Sequence, residues 1–182
     1  MHNADINEFE EQMNIDFAGF AGDCLVRGQL EVGSERLTDH LNGSPVYTLR
    51  DAQLESLDDG HTVFVEEVQL ERDELYAVEG TGTRGMQGRR IYTVRHRLVI
   101  HCGPYTVTGN LHTTPGGLPL GAVGLRRAMV PLTDATIAYL RTGELRTHQA
   151  ATLIVNGHLV DSVRTNDGEE AAAPSLYGAQ RA

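Results

Sequence analysis

The sequence predicts a mainly β protein: two tandem small β-barrel or β-sandwich modules related by internal duplication. A short N-terminal helix or arm would precede them and a disordered tail would follow. Three observations carry this expectation. Apolar and polar residues alternate over long stretches with the period of half-buried strands. Twenty glycines, no tryptophan and 5% aromatics suit a turn-rich β protein with an aliphatic core. Three sequence blocks recur in the same order, as a repeated module would require.

The first block is Gly22-x-x-x-Val26-x-Gly28-x-Leu30, which returns 81 residues later as Gly103-x-x-x-Val107-x-Gly109-x-Leu111. The second is Leu49-x-Asp51-Ala52-x-Leu54, answered 83 residues on by Leu132-x-Asp134-Ala135-x-Ile137. The third is Leu70, Leu75 and Val78, answered 85 residues on by Val155, Val160 and Val163. Small loop insertions account for the slow growth of the offset.

Taken along the chain, residues 1–14 form an arm or short helix. Asp5-x-x-Glu8 is a possible cap there, with Ile6, Phe9 and Met13 on one face. Residues 15–79 form the first module, 80–89 a glycine-rich connector and 90–164 the second module. Strands are expected at 46–54, 63–70 and 76–79, then at 92–102, 129–139, 151–155 and 159–163. In the second module Tyr92, Val94, His96, Leu98, Ile100 and Cys102 share one face of a strand. Gly103-Pro104 makes a two-residue hairpin turn that pairs Cys102 with Tyr105. Counting back pairs Ile100 with Val107, Leu98 with Gly109, His96 with Leu111 and Arg95 with His112. The same register in the first module sets Phe17 opposite Gly28 and Ile15 opposite Leu30. A large side chain covering the bare glycine would explain why that glycine recurs. The tail 165–182, acidic and then alanine-rich, is expected to be disordered.

Charge is segregated. Residues 1–79 hold nineteen Asp and Glu against four Arg, a net of −15. Residues 80–133 hold seven Arg and no acid. All fifteen basic residues are Arg, a bias that runs through the whole chain and so reads as genome composition. The start of the sequence has neither a basic n-region nor an apolar h-region, so no signal peptide is expected. No apolar run is long enough to span a membrane. Cys24 and Cys102, the only cysteines, make neither a disulfide framework nor a zinc site. A cytoplasmic protein without metal or other cofactor is expected.

Motifs that could carry chemistry meet simpler explanations. Gly80-x-Gly82-x-x-Gly85 matches a dinucleotide-binding string, but a strand rather than a helix follows it, so a connector is the better reading. Cys102 lies six residues from His96, ~20 Å along a strand, and reads as a buried structural thiol. Asp51 and Asp134 occupy equivalent positions. If the modules met about a pseudo-twofold axis the two carboxylates could hold a metal or share a proton. Otherwise each caps a turn through backbone N–H groups. His96 reads as a satisfied structural histidine, and His101 and His112 as solvated ones. The strongest partner signal is the arginine set Arg89, Arg95, Arg97, Arg126 and Arg127. Arg89, Arg95 and Arg97 share one alternation, beside Thr106, Thr108 and Asn110, as a stripe for phosphate or carboxylate.

Arg36-Leu37-Thr38-Asp39-His40-Leu41-Asn42, followed by Leu49-Arg50-Asp51-Ala52, resembles an uncharacterised bacterial family of short β-rich domains. The second copy keeps Pro131-Leu132-Thr133-Asp134-Ala135 and Val155-Asn156-Gly157-His158-Leu159-Val160. It replaces the Arg-Leu-Thr-Asp piece with the loop 115–125. Gly28-x-Leu30 and Asp39…Asn42 are also similar to Sm-like barrels, a likeness that implies nucleic-acid binding. The expected function is a non-enzymatic assembly protein, homo-oligomeric or bound to another protein through complementary charge. Sm-like nucleic-acid binding is second, and a metal-dependent enzyme using Asp51 and Asp134 third. No membrane partner is expected.

Overall fold

A computed structural model of the chain describes residues 13–81, 93–119, 123, 128–165 and 170–172. The expected N-terminal helix and most of the connector lie outside these residues. Alternating stretches become the strands β1 (Met13–Ala21), β2 (Cys24–Val32), β3 (Val46–Ser56), β4 (Thr62–Glu71) and β5 (Leu75–Glu79). They continue as β6 (Val94–Cys102), β7 (Tyr105–Thr113), β8 (Met129–Arg141), β9 (Glu144–Asn156), β10 (Ser162–Thr165) and β11 (Glu170–Ala172).

All eleven strands join one antiparallel sheet, in the order β11-β10-β6-β7-β8-β9-β5-β1-β2-β3-β4. The expected closed barrels are therefore corrected to one shared, open sheet. Within it the run β5-β1-β2-β3-β4 and the run β10-β6-β7-β8-β9 have the same internal order. They meet edge to edge, where β5 pairs β9 through Ala77↔Val155, Val78↔Ile154 and Glu79↔Leu153.

The hairpin registers are those the alternation predicts. Phe17 faces Gly28 and Ile15 faces Leu30, while Leu98 faces Gly109 and Cys102 faces Tyr105. The reason for the glycines differs from the expected one. Each meets a β-bulge on the following strand, at register shifts between Arg27 and Gln29 and between Thr108 and Asn110. A Cβ on Gly28 would lie 2.9 Å from the Arg50 carbonyl oxygen, and one on Gly109 2.8 Å from the Leu132 Cβ. The bulge residues Asp51 and Asp134 take φ of 49° and 48°, the left-handed region that Asp tolerates better than most side chains. The glycine and the aspartate of each repeat block are thus two sides of one bulge.

Two cores form on opposite faces of the sheet where the runs meet. Val78 and its partner Ile154 point into the core of the first run, with Phe17, Leu30 and Leu49. Ala77 and its partner Val155 point into the core of the second, with Leu98, Ile137 and Leu153. Central strands buried on both faces read as continuous apolar runs. Each core also borrows from the other run: Phe20, Leu25 and Leu57 enter the second, and Met129 enters the first.

One element went unread. The helix α1 (Leu37–Gly43) buries Leu37 and Leu41. It ties the runs together through Asn42, whose Nδ2 donates to the Met129 carbonyl at 2.9 Å and whose Oδ1 accepts from the Met129 N–H at 3.0 Å. The expected disorder of the tail is corrected at β11, whose three residues pair with β10. Among the described residues no helix is long and apolar enough to cross a membrane.

Candidate interaction surfaces

The arginines of the second run lie on the face of the sheet away from its core. Strand alternation sends Leu98, Ile100 and Cys102 of β6 inward and Arg95, Arg97, Val99 and His101 outward. Arg95 is exposed beside its cross-strand partner His112 and makes no hydrogen bond or ion pair with the described residues. Arg97 is half-buried and donates to the Asp134 carbonyl at 3.0 Å. It therefore satisfies a backbone acceptor that the bulge turns outward. Asn110 donates to the Asp134 carboxylate at 3.1 Å. Arg89, Arg126 and Arg127 lie outside the described residues, so the stripe rests on Arg95 and Arg97, with Arg164 of β10 beside them.

The histidines on this face belong to a polar ladder. The His112 ring lies 3.1 Å from the Thr93 hydroxyl and 2.8 Å from that of Thr133. Arg164 donates to His101 Nε2 at 2.8 Å, and His101 Nδ1 lies 3.1 Å from the Thr106 hydroxyl. A guanidinium donating to Nε2 requires that nitrogen to be unprotonated, which assigns the proton to Nδ1 and makes it the donor to Thr106. His96 sits on the other face, 3.0 Å from the Thr113 hydroxyl, as a satisfied structural histidine would.

Asp51 and Asp134 do not approach one another. The Asp134 carboxylate accepts from Asn110, whereas Asp51 lines a groove of the first run with Asp16, Arg27 and Gln53. Among the described residues neither carboxylate accepts from a turn N–H; both aspartates are bulge residues. Among the described residues no group of three His, Cys, Asp or Glu could hold a metal. Cys102 is fully buried and burial pushes its thiol up to about 12, the state of a packing thiol rather than a nucleophile. Cys24 is pushed up to about 11 by burial and by neighbouring Asp23.

The first run presents the opposite charge. Its outermost strand β4 exposes Glu66, Glu67, Gln69 and Glu71 together with Val63 and Phe64, the last at 75% of its full exposure. An open groove of about 520 Å³ lies on the face of this run away from its core, lined by Asp16, Arg27, Gln53, Phe64, Glu79 and Thr81. The internal contacts between the runs already join acid to base. Arg141 meets Glu55 at 3.0 Å and His148 meets Glu79 at 2.9 Å. Alternation and net charge anticipate the arginine face. The β4 edge has no comparable sequence signal, because which strand ends a sheet is set by tertiary pairing.

No family model, no curated protein and no solved structure matches the chain.

Proposed function

We propose that this chain is a non-enzymatic interaction and assembly protein, built from two copies of one β module and self-associating through complementary charge. The observation that carries the reading is the placement of charge at opposite ends of one sheet. Glu66, Glu67 and Glu71 lie on β4 at one end, and Arg95, Arg97 and Arg164 on β6 and β10 toward the other. A surface carrying both signs, each at its own end, is complementary to a second copy of itself. The identical strand order of the two runs and the paired bulges at Gly28 and Gly109 support descent of both runs from one module.

Exposed ion pairs contribute ~0–1 kcal/mol each, so charge sets register and rate while buried contact supplies affinity. Arg95→Glu tests the reading most cleanly, because Arg97 also holds the Asp134 carbonyl. The variant is expected to keep its unfolding midpoint and to lose self-association at low salt in sedimentation experiments. Unchanged association would sink the charge argument. The second reading is nucleic-acid binding on the same face, favoured by the open Arg95 guanidinium beside His112 and Asn110. It predicts RNA binding by the parent chain that Arg95→Glu abolishes while the native mass stays constant.

A further inference from the structure

The joint between the two runs is a template for a joint between chains. In the first run Gly19 pairs Val78 of β5, and in the second Ile100 pairs Val163 of β10. In the first run Leu49 pairs Val68 of β4, and in the second Leu132 pairs Leu153 of β9. β10 thus stands where β5 stands, and β4 where β9 stands. Inside the chain β9 is bonded to β5. At the two ends of the molecule the corresponding strands, β4 and β10, have no such partner in one another.

Burial records the difference. Leu153 and Ile154 of β9 are buried, whereas their counterparts Val68 and Gln69 of β4 are half-buried and exposed. Met129 is fully buried beneath α1, while its counterpart Val46 is 42% exposed. Ala77 of β5 is fully buried and its counterpart Ser162 only partly so. The pattern is what remains when an interface made once is left open at β4 and is covered at β10 only by the three residues of β11. An edge strand with apolar residues and unpaired backbone groups recruits another strand.

We infer that β4 of one copy pairs antiparallel with β10 of the next, in the register Leu70↔Ser162, Gln69↔Val163 and Val68↔Arg164. This rests on the self-association proposed above and names the surfaces that perform it. The register follows from moving the β5–β9 pairs onto their counterparts, and it sets Arg164 opposite Val68, close to the exposed acidic residues Glu66 and Glu67 of the incoming β4. The contact joins two different surfaces, so it runs head to tail and either closes into a ring or extends. β11 occupies the same three residues of β10, through Ser162↔Ala172, Val163↔Ala171 and Arg164↔Glu170. It is a short intramolecular competitor that an incoming ten-residue β4 displaces.

The pair Glu79↔Leu153 flanks the bond from the Gly80 N–H to the Thr152 carbonyl at 2.9 Å. It is therefore a non-hydrogen-bonded pair, where Cα atoms stand ~4.5 Å apart, within disulfide range. Its intermolecular counterpart is Val68 with Arg164. The full-length chain carrying Val68→Cys with Arg164→Cys should give a ladder of disulfide-linked multimers on mild oxidation. The parent chain and the pair Thr62→Cys with Arg164→Cys should give none. Gln69→Pro, which removes a backbone donor on the outer edge without touching the β3 ladder, should cut the assembled fraction at least tenfold in sedimentation. Ending the chain at Thr165 should raise the ladder yield several-fold by removing β11. A chain that assembles by mass yet gives no Val68–Arg164 ladder, or tolerates Gln69→Pro, overturns the edge pairing and leaves charge-driven association standing. A chain that stays monomeric overturns both.

Discussion

The run β1–β5 and the run β6–β10 pack the same bulge against the same glycine, but they finish differently. β9 is buried against β5, while β4 ends the sheet with Val63 and Phe64 exposed. The outer face of the first run is acidic and grooved; that of the second carries arginines and a histidine–threonine ladder. What the two runs share is backbone geometry: one strand order and one glycine–aspartate bulge. What differs is the surface that each run presents. The second run also carries the longer hairpin, β8 and β9 of thirteen residues each. It reaches over the first run so that the Thr142 N–H donates to the Leu57 carbonyl at 2.8 Å.

The strongest way to break the comparison is at the bulges. Gly28→Val forces a side chain into the Arg50 carbonyl and Gly109→Val into the Leu132 and Ala135 Cβ atoms. Both should lower stability by ~1–3 kcal/mol, as overpacking does, with Gly28→Val the larger because backbone yields less than side chain. Denaturant midpoints measure this. A tolerated valine at either glycine would show that the two bulges are not equivalent.

A smaller effect separates local from long-range ties. The Tyr47 hydroxyl donates to the Leu41 carbonyl at 2.6 Å within the first run, and the Tyr105 hydroxyl donates to the Ala21 carbonyl from the other run. Tyr47→Phe and Tyr105→Phe should each cost ~1 kcal/mol of stability. Only Tyr105→Phe should speed amide exchange across the β5–β9 joint; equal exchange in both variants would contradict a rigid junction.

The smallest effect lies in the bulge aspartates. Asp51→Gly and Asp134→Gly both relieve a positive φ, while glycine also gains unfolded-state freedom. Asp51→Gly should change stability by less than ~0.5 kcal/mol. Asp134→Gly should cost ~1 kcal/mol, because the Asn110 contact goes with the carboxylate. Equal values would remove this difference between the runs.

Strand register was legible because alternation and the two-residue turn at Gly103-Pro104 leave a single pairing. The bulge was visible only as a recurring glycine and a recurring aspartate in separate blocks. Nothing local says that they touch, so the glycine's cross-strand partner was read correctly while its close approach to the bulge on the other side was not. α1 escaped because seven residues with two buried leucines give too little helical periodicity. The shared sheet escaped because β5 and β9 are far apart in sequence and their pairing is decided by packing. Arg95 and Arg97 lie on the outward face that alternation predicts, yet their division of labour, with Arg97 on a backbone carbonyl and Arg95 without a partner among the described residues, depends on the bulge.

The most direct measurement is the native mass of the unmodified chain by sedimentation velocity at low and at high salt. The account predicts species heavier than one chain at low salt, as a closed ring or an extending series, that shift toward smaller ones as screening weakens the pairing of acidic and basic ends. A single monomeric species at both salt concentrations, over the whole accessible range of protein concentration, would contradict it.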